Sequence, residues 1–370
     1  MADTACLQTM RTRLQQAVRP RAAGSSTTSS PSQRFLDGDS TPILLTYMSH
    51  LRPRWLLGIS AAHHALPLAV AGLGRRFTFA DKLLSAERAV RMLHHLNPGA
   101  PVIFADGVDT IVANRLLPAT QQRLQRAARE GKVILGAECF SYPLCYRELY
   151  RNHSAHQRCR ASGAPTCYAN SGLYAGSSAV LLQLLTKAHE VAVHGQGVEQ
   201  DDDQAAIHRL LLQGALAMEV DSESAIFLNL HPCRGHNFKA PPKGRKSRGQ
   251  ITMCFYEPHD PLSKIVRRKD EVWYRGATSS STANDWTQPT ATRSAVHSLS
   301  VRVDAADQRP LLVHANGFHS RLSDAYFGKG NTISWETIFA GTAAMNAYPV
   351  LLFDSPIYGR CNVSTLGDLA

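Results

Sequence analysis

Five short apolar runs, each closed by polar or charged residues, constrain the fold of this chain more than any other feature. They are TPILLTYMS (41–49), PVIFAD (101–106), GKVILGAE (131–138), SAIFLNL (224–230) and RPLLVHANG (309–317). Each is too short for a helix and too evenly apolar for a strand with one wet face, so each reads as a strand buried on both sides. Helix-period segments lie between them. FADKLLSAERAVRMLHHL (79–96) places Leu83, Leu84, Ala86, Val90, Leu93 and Leu96 at helical spacing, and Asn97-Pro98-Gly99 stops it. TQQRLQRAARE (120–130) and DDDQAAIHRLLLQ (201–213) are further helices, and NSGLYAGSSAVLLQLLTKAHEVA (170–192) reads as a glycine-broken turn that becomes one. HHALPLAVAGLG (63–74) reads as a helix leading into a turn or short strand. Strands alternating with helices to about residue 230 imply an α/β fold with a mostly parallel central sheet and helices on both faces.

The 370 residues suffice for one large domain. Residues 1–40 read as a disordered, basic, Ser-rich tail: arginine recurs, no acid follows Asp3 within the first 34 residues, and no apolar core of a secretory signal is visible. Such a start fits an organellar transit segment or a plain tail. Residues 41–370 read as a single domain in which 233–308, rich in Pro, Gly, Ser, Thr and Arg, is a variable insertion or β subregion. Its candidate strands are QITMCFYE, DEVWYRG and LSVRVD. No apolar stretch is long enough to span a membrane. The eight cysteines form no Cys-x-x-Cys pair, which argues against a zinc ribbon or redox motif; Cys145, Cys159 and Cys167 are candidates for a disulfide.

A formal net charge of +11 favours anionic partners without naming one. The basic stretch 239–269 has few aromatics interleaved and reads as a solvated loop, so nucleic acid is not the expected partner.

The chemistry concentrates where strands end. In an open α/β sheet ligands bind beyond the carboxyl ends of the strands. Asp106 and Asp109 follow one strand, and His314 closes another. Two carboxylates and an imidazole on one sheet edge suit manganese or a similar borderline divalent ion that keeps positions open for phosphate oxygens. Alone, the Asp-x-x-Asp pair reads equally as a cap and a turn, and His314 as a satisfied core histidine. DDDQ (201–204) is a capped helix start or an acidic cleft lining. In YANSGLYAG (168–176) the glycines permit close backbone approach while Asn170 and Ser171 offer polar groups. AECFSYP (137–143) closes a strand with an acid and with an aromatic beside proline.

Taken in order, the Asp-x-x-Asp strand, GAECFSYP, NSGLYAG, DDDQ, SAIFLNL and VHANG resemble the glycosyltransferase domain of the procollagen-lysine hydroxylase family. The resemblance covers about residues 41–232 and 309–319. It implies a GT-A type, Rossmann-like fold and a metal-dependent glycosyltransferase. That activity would move a hexose, galactose or glucose, from a UDP-sugar donor to a hydroxyl of a protein or glycan acceptor. By position it implies Asp106, Asp109 and His314 as ligands of Mn²⁺, and Asp202 and Asp203 as the acidic run facing donor sugar and acceptor. Thr46, Tyr142, Asn170, Ser171, Asn316 and Gly317 fall on nucleotide- and sugar-binding positions. The chain departs from the family pattern in several places. Tyr142 stands for a tryptophan, Ser141 for a cysteine and Leu173 for a glycine. The acidic run is shorter, and FHSRL after Gly317 lacks a lysine. No room remains for the hydroxylase domain. Family members work in the secretory pathway. The rival readings are an inactive GT-A-like binder of anions or nucleotide-sugars, a nucleic-acid binder acting through 239–269, and a metal-dependent phosphohydrolase, which would want a richer His/Asp set.

Overall fold

A computed structural model describes residues 4–6, 8–12, 41–50, 55–98, 100–138, 141–143, 146–162, 164, 166–229, 274–276, 297–299, 309–314 and 348–369. The order is β1 (Ile43–Tyr47), α1 (Leu56–His63), β2 (Leu68–Ala71), α2 (Phe79–Leu96), β3 (Pro101–Asp106), β4 (Thr110–Val112), α3 (Pro118–Arg129), β5 (Val133–Glu138), α4 (Tyr146–Arg151), α5 (Ser154–Ala161), β6 (Tyr168–Ser177), α6 (Ser178–His194), α7 (Asp203–Leu212), β7 (Met218–Asp221) and β8 (Phe227–Asn229). It continues with β9 (Tyr274–Gly276), β10 (His297–Leu299), β11 (Leu312–His314), β12 (Pro349–Ser355), β13 (Gly359–Thr365) and α8 (Leu366–Leu369).

The main sheet has the order β13-β12-β2-β1-β3-β6-β5-β7. Strands β12, β2, β1 and β3 are parallel neighbours, as are β5 and β7. Strand β6 runs antiparallel to both β3 and β5, and β13 runs antiparallel along the edge. The fold is therefore α/β on a large, mostly parallel sheet. Alternate strand residues feed opposite layers, as a period of two requires. Leu45, Val102, Phe104 and Leu135 pack with α2, α6 and α7; Leu44, Ile103, Ala105 and Ile134 pack with α1 and α3. Helices thus cover both faces.

Two stretches differ from their sequence reading. NSGLYAG is not a turn: it forms most of β6, a ten-residue strand buried between β3 and β5. Its small residues, which suggest a turn in isolation, fit a crowded sheet interior. A bulge shifts the β5–β6 register between Leu135 and Gly136, so Leu135 opposes Tyr174 while Gly136 opposes Asn170. Within residues 1–40, 4–6 and 8–12 are helical, Met10 is buried in the main core, and Cys6 is joined to Cys361 of β13. Cys159 is joined to Cys167, one of the candidate pairs. Of 233–308, only β9 and β10 are described, and they pair antiparallel.

A second sheet, in the order β4-β11-β8, sets up the site. β11 runs antiparallel to β4 and parallel to β8, with His314 opposite Thr110 on one side and Asn229 on the other. Trp55 Nε1 donates to the Gly107 carbonyl at 2.9 Å, and Val112 N donates to Ser60 Oγ at 2.9 Å. Helix α1 thereby holds the turn between β3 and β4.

On α7, His208 is fully buried. Its Nε2 donates to the Tyr142 carbonyl at 2.9 Å, and its Nδ1 accepts from the Tyr150 hydroxyl. Both nitrogens are satisfied in the neutral ring, and burial lowers its pKa to about 4. The unfolded chain takes up this proton near pH 6.5, so folding stability falls as pH drops from 6.5 towards 4. The expected loss is about 1.4 kcal/mol per pH unit, about 3 kcal/mol in all. Urea unfolding of wild type and His208→Gln across this range checks it: the variant should show the shallower slope.

Candidate metal centre

Three ligand groups converge where the two sheets meet. Asp106 ends β3, Asp109 precedes β4, and His314 ends β11. One ligand atom from each lies within 4.8 Å of the others. The Thr110–His314 register explains how residues two hundred positions apart meet: antiparallel pairing sets Asp109 just beyond the end of β11. His314 Nε2 lies 3.3 Å from Asp109 Oδ1 and 3.6 Å from Asp106 Oδ2.

The orientation of the imidazole is fixed from behind. Asn229 Nδ2 donates to the Ala137 carbonyl at 2.9 Å, which leaves Asn229 Oδ1 to accept from His314 Nδ1 at 2.7 Å. Nδ1 therefore carries the hydrogen and Nε2 faces the carboxylates. Nε2 is buried and makes no hydrogen bond of good geometry. A lone pair facing two carboxylates needs a cation between them, either a proton or a metal. Burial works against charge on this ring, but Asp109 and then Asp106 outweigh it and raise its pKa. A histidine held by a polar partner on its far nitrogen is how imidazoles are presented to metals. The donor set, two carboxylate oxygens and one imidazole nitrogen, fits a borderline divalent ion. Its identity is not fixed by these three groups.

Gly172 forms the floor. A Cβ there would sit 2.4 Å from His314 Cε1 and 2.7 Å from Asp106 Oδ2. His314 cannot retreat without breaking its bond to Asn229. Gly172→Ala is expected to lower divalent-metal affinity by at least about tenfold, the scale at which disturbed ligand orientation acts. A Mn²⁺ titration of the variant, with far-UV circular dichroism to verify folding, checks this.

Lys82 is the principal residue that sequence reading missed. It lies on α2 and is buried, with Nζ 2.6 Å from Asp106 Oδ1, 2.7 Å from Asp203 Oδ2 and 5.4 Å from the Phe104 ring centroid. Burial alone would discharge it, but the two carboxylates outweigh that and hold its pKa above the ordinary lysine value. The available signal was its position: Lys82 is one turn before Ala86 and two before Ala89, on the buried side of the helix.

The three aspartates of DDDQ have separate partners. Asp201 Oδ1 accepts from Ala80 N at 2.8 Å, in the first turn of α2. Asp202 is the N-cap of α7 and accepts from Ala205 N at 2.8 Å. Asp203 is buried and faces Lys82. Of the two expected catalytic carboxylates, Asp203 thus connects to the metal cluster through a shared lysine, while Asp202 secures the helix that carries Asp203.

The remaining expected residues fall nearby. Thr46 is fully buried, and a Cβ on Gly107 would sit 2.8 Å from its Oγ1. Thr46 therefore lies against the turn between the two aspartates. Asn170 Oδ1 accepts from Gly172 N at 2.9 Å, and its Nδ2 donates to Glu138 Oε2 at 3.3 Å. Ser171 Oγ donates to Gln204 Oε1 at 3.3 Å, and Gln204 Nε2 donates to Glu138. Glu138, Gln204, Asn170 and Ser171 thus form one buried network joining β5, β6 and α7. Tyr142 is 57% exposed, and its carbonyl rather than its ring is engaged. Asn316 and Gly317 lie outside the described residues. Among the described residues no helix is long and apolar enough to cross a membrane. Comparison with models of known protein families and with curated proteins finds no match to this chain.

Proposed function

We propose that the chain is a Mn²⁺-dependent glycosyltransferase of GT-A type that moves a hexose, galactose or glucose, from a UDP-sugar to a hydroxyl of a protein or glycan acceptor. The observation that carries this reading is the oriented Asp106–Asp109–His314 cluster, whose buried Nε2 is aimed at two carboxylates on the carboxyl edge of an α/β sheet. When bound there, Mn²⁺ supplies Lewis-acid stabilisation of the charge on a departing diphosphate. Lys82 adds a fixed positive charge on the same side. Asp203 is the carboxylate suited to orient the acceptor hydroxyl and take its proton. The hydroxyl oxygen forms a bond to the anomeric carbon. The bond from that carbon to the phosphate oxygen breaks, and UDP leaves with the electron pair.

A second reading, a binder of nucleotide-sugars without turnover, draws on the engagement of both carboxylates, Asp202 by α7 and Asp203 by Lys82. UDP release from a panel of UDP-sugars, with Mn²⁺ and with chelator, separates the two. Manganese-dependent release supports transfer chemistry. Binding without release for every donor, with or without acceptor hydroxyls, supports the binder.

A further inference from the structure

The sequence contains two Asn-x-Ser triplets of the kind that accept N-linked oligosaccharide, Asn152-His153-Ser154 and Asn362-Val363-Ser364. The structure presents them differently. Asn152 lies in the turn between α4 and α5, and both Asn152 and Ser154 are exposed. The turn satisfies its own backbone: Asn152 N donates to the Leu149 carbonyl at 3.3 Å and His153 N to the Tyr150 carbonyl at 3.0 Å. Asn362 is half-buried within β13, opposite Leu352 of β12, and its Oδ1 accepts from Val363 N at 2.9 Å.

Two further observations bear on Asn152. The first is the pair of disulfides: Cys159 of α5 is joined to Cys167 beside β6, and Cys6 to Cys361. Disulfides form and persist in oxidising compartments, and Asn-x-Ser triplets are glycosylated in proteins that pass through them. The second is an open cleft of about 680 Å³ between α4 and the last turn of α7, with Asn152 on its lining. Tyr146, Leu149 and Leu212 make the cleft apolar, and its charged groups, Glu199 and Arg209, are paired with each other. Leu149, three residues before Asn152, is 57% exposed.

We propose that Asn152 is a modification site carrying an N-linked oligosaccharide whose first sugars lie over this cleft. The proposal does not rest on the transferase reading, because the sugar is attached by the cell's own oligosaccharide transferase. In that step Asn152 Nδ2 forms a bond to the anomeric carbon of an oligosaccharide carried on a lipid diphosphate. The bond from that carbon to the phosphate oxygen breaks, the lipid diphosphate leaves with the electron pair, and the amide nitrogen gives up one proton. The folded protein accommodates the product at Asn152, since an exposed turn has room for a bulky, solubilising group. Because Asn152 lines the cleft, the chain of sugars starts at its edge. The C–H faces of the first sugars cover Leu149 while their hydroxyls face water. A glycan on Asn362 would instead leave from within a paired strand.

The test is the intact mass of the full-length protein isolated from the cells that naturally make it, before and after peptide:N-glycosidase. The expected result is a loss of mass equal to one oligosaccharide, with Asn152 converted to aspartate by its release. Full-length Asn152→Gln and Ser154→Ala, made in the same cells, should lack that mass, whereas Ser154→Thr and Asn362→Gln should retain it. An unchanged mass on glycosidase treatment, or oligosaccharide found on Asn362 alone, would overturn the proposal. Binding of an anilinonaphthalene dye tests where the sugars lie. Ser154→Ala should bind more dye than glycosylated wild type, and Leu149→Ser added to it should remove the excess. Equal dye binding by glycosylated wild type and Ser154→Ala would overturn the placement of the sugars over the cleft.

Discussion

Asp109→Ala is expected to lower Mn²⁺ affinity by at least about a hundredfold, beyond the range for disturbed outer-shell partners, because it removes a ligand outright. The more informative part of the result is what stays unchanged. Asp106 and Asp109 are carboxylates held close to the same imidazole. Removing Asp109 relieves its repulsion with Asp106 but also takes away the main counter-charge of His314; the two effects oppose each other, so metal-free stability should be close to that of wild type. Wild type should then gain about 2.7 kcal/mol when Mn²⁺ is present at a hundred times its dissociation constant, and the variant should gain almost nothing at that concentration. Thermal or urea unfolding with and without Mn²⁺ reads both effects. A variant that is unstable without metal would instead assign Asp109 a structural role.

Lys82→Met is expected to have the largest effect on stability, about 3–5 kcal/mol, because it strips the shared cation from a buried carboxylate. Asp203 has 4% of its side chain exposed and has Lys82 at 2.7 Å. Left alone it must take up a proton or draw in water. The double variant Lys82→Met/Asp203→Asn removes that isolated charge and should recover much of the loss. A double-mutant cycle in urea, with Asp203→Asn alone as the fourth corner, gives the coupling. Added Mn²⁺ should not rescue Asp203, since the cluster that holds the ion contains Asp106 and not Asp203.

Much of the sheet was legible because its strands are buried on both faces. ILLTY, PVIFAD and VILGAE carry apolar runs that nothing but a central strand explains, and they became β1, β3 and β5. β6 was hidden because Asn170, Ser171, Gly172 and Gly176 are turn formers by local chemistry; it is close packing that demands the glycines, Gly172 against His314 and Asp106 and Gly176 against Val180 and the Lys132 carbonyl. The convergence of Asp106, Asp109 and His314 was readable as an expectation, since each closes or follows an apolar run. Two strands of the second sheet, β8 and β11, lie in the apolar runs SAIFLNL and RPLLVHANG; β4 has only three residues, and nothing local in the sequence says that these three strands pair apart from the main sheet. Lys82 escaped notice because a lysine on an amphipathic helix ordinarily points to water. DDDQ could not be resolved from sequence because the three aspartates differ only in what lies opposite them: the α2 backbone, the α7 backbone and Lys82.

The central claim is that this cluster holds a divalent ion whose open positions receive a nucleoside diphosphate. Isothermal titration of UDP into the full-length protein, in Mn²⁺ and then in chelator, tests it most directly. The account predicts saturable one-to-one binding in Mn²⁺ that disappears in chelator and in Asp109→Ala. UDP binding of equal strength in chelator, or none in Mn²⁺ while Mn²⁺ itself binds, would contradict it.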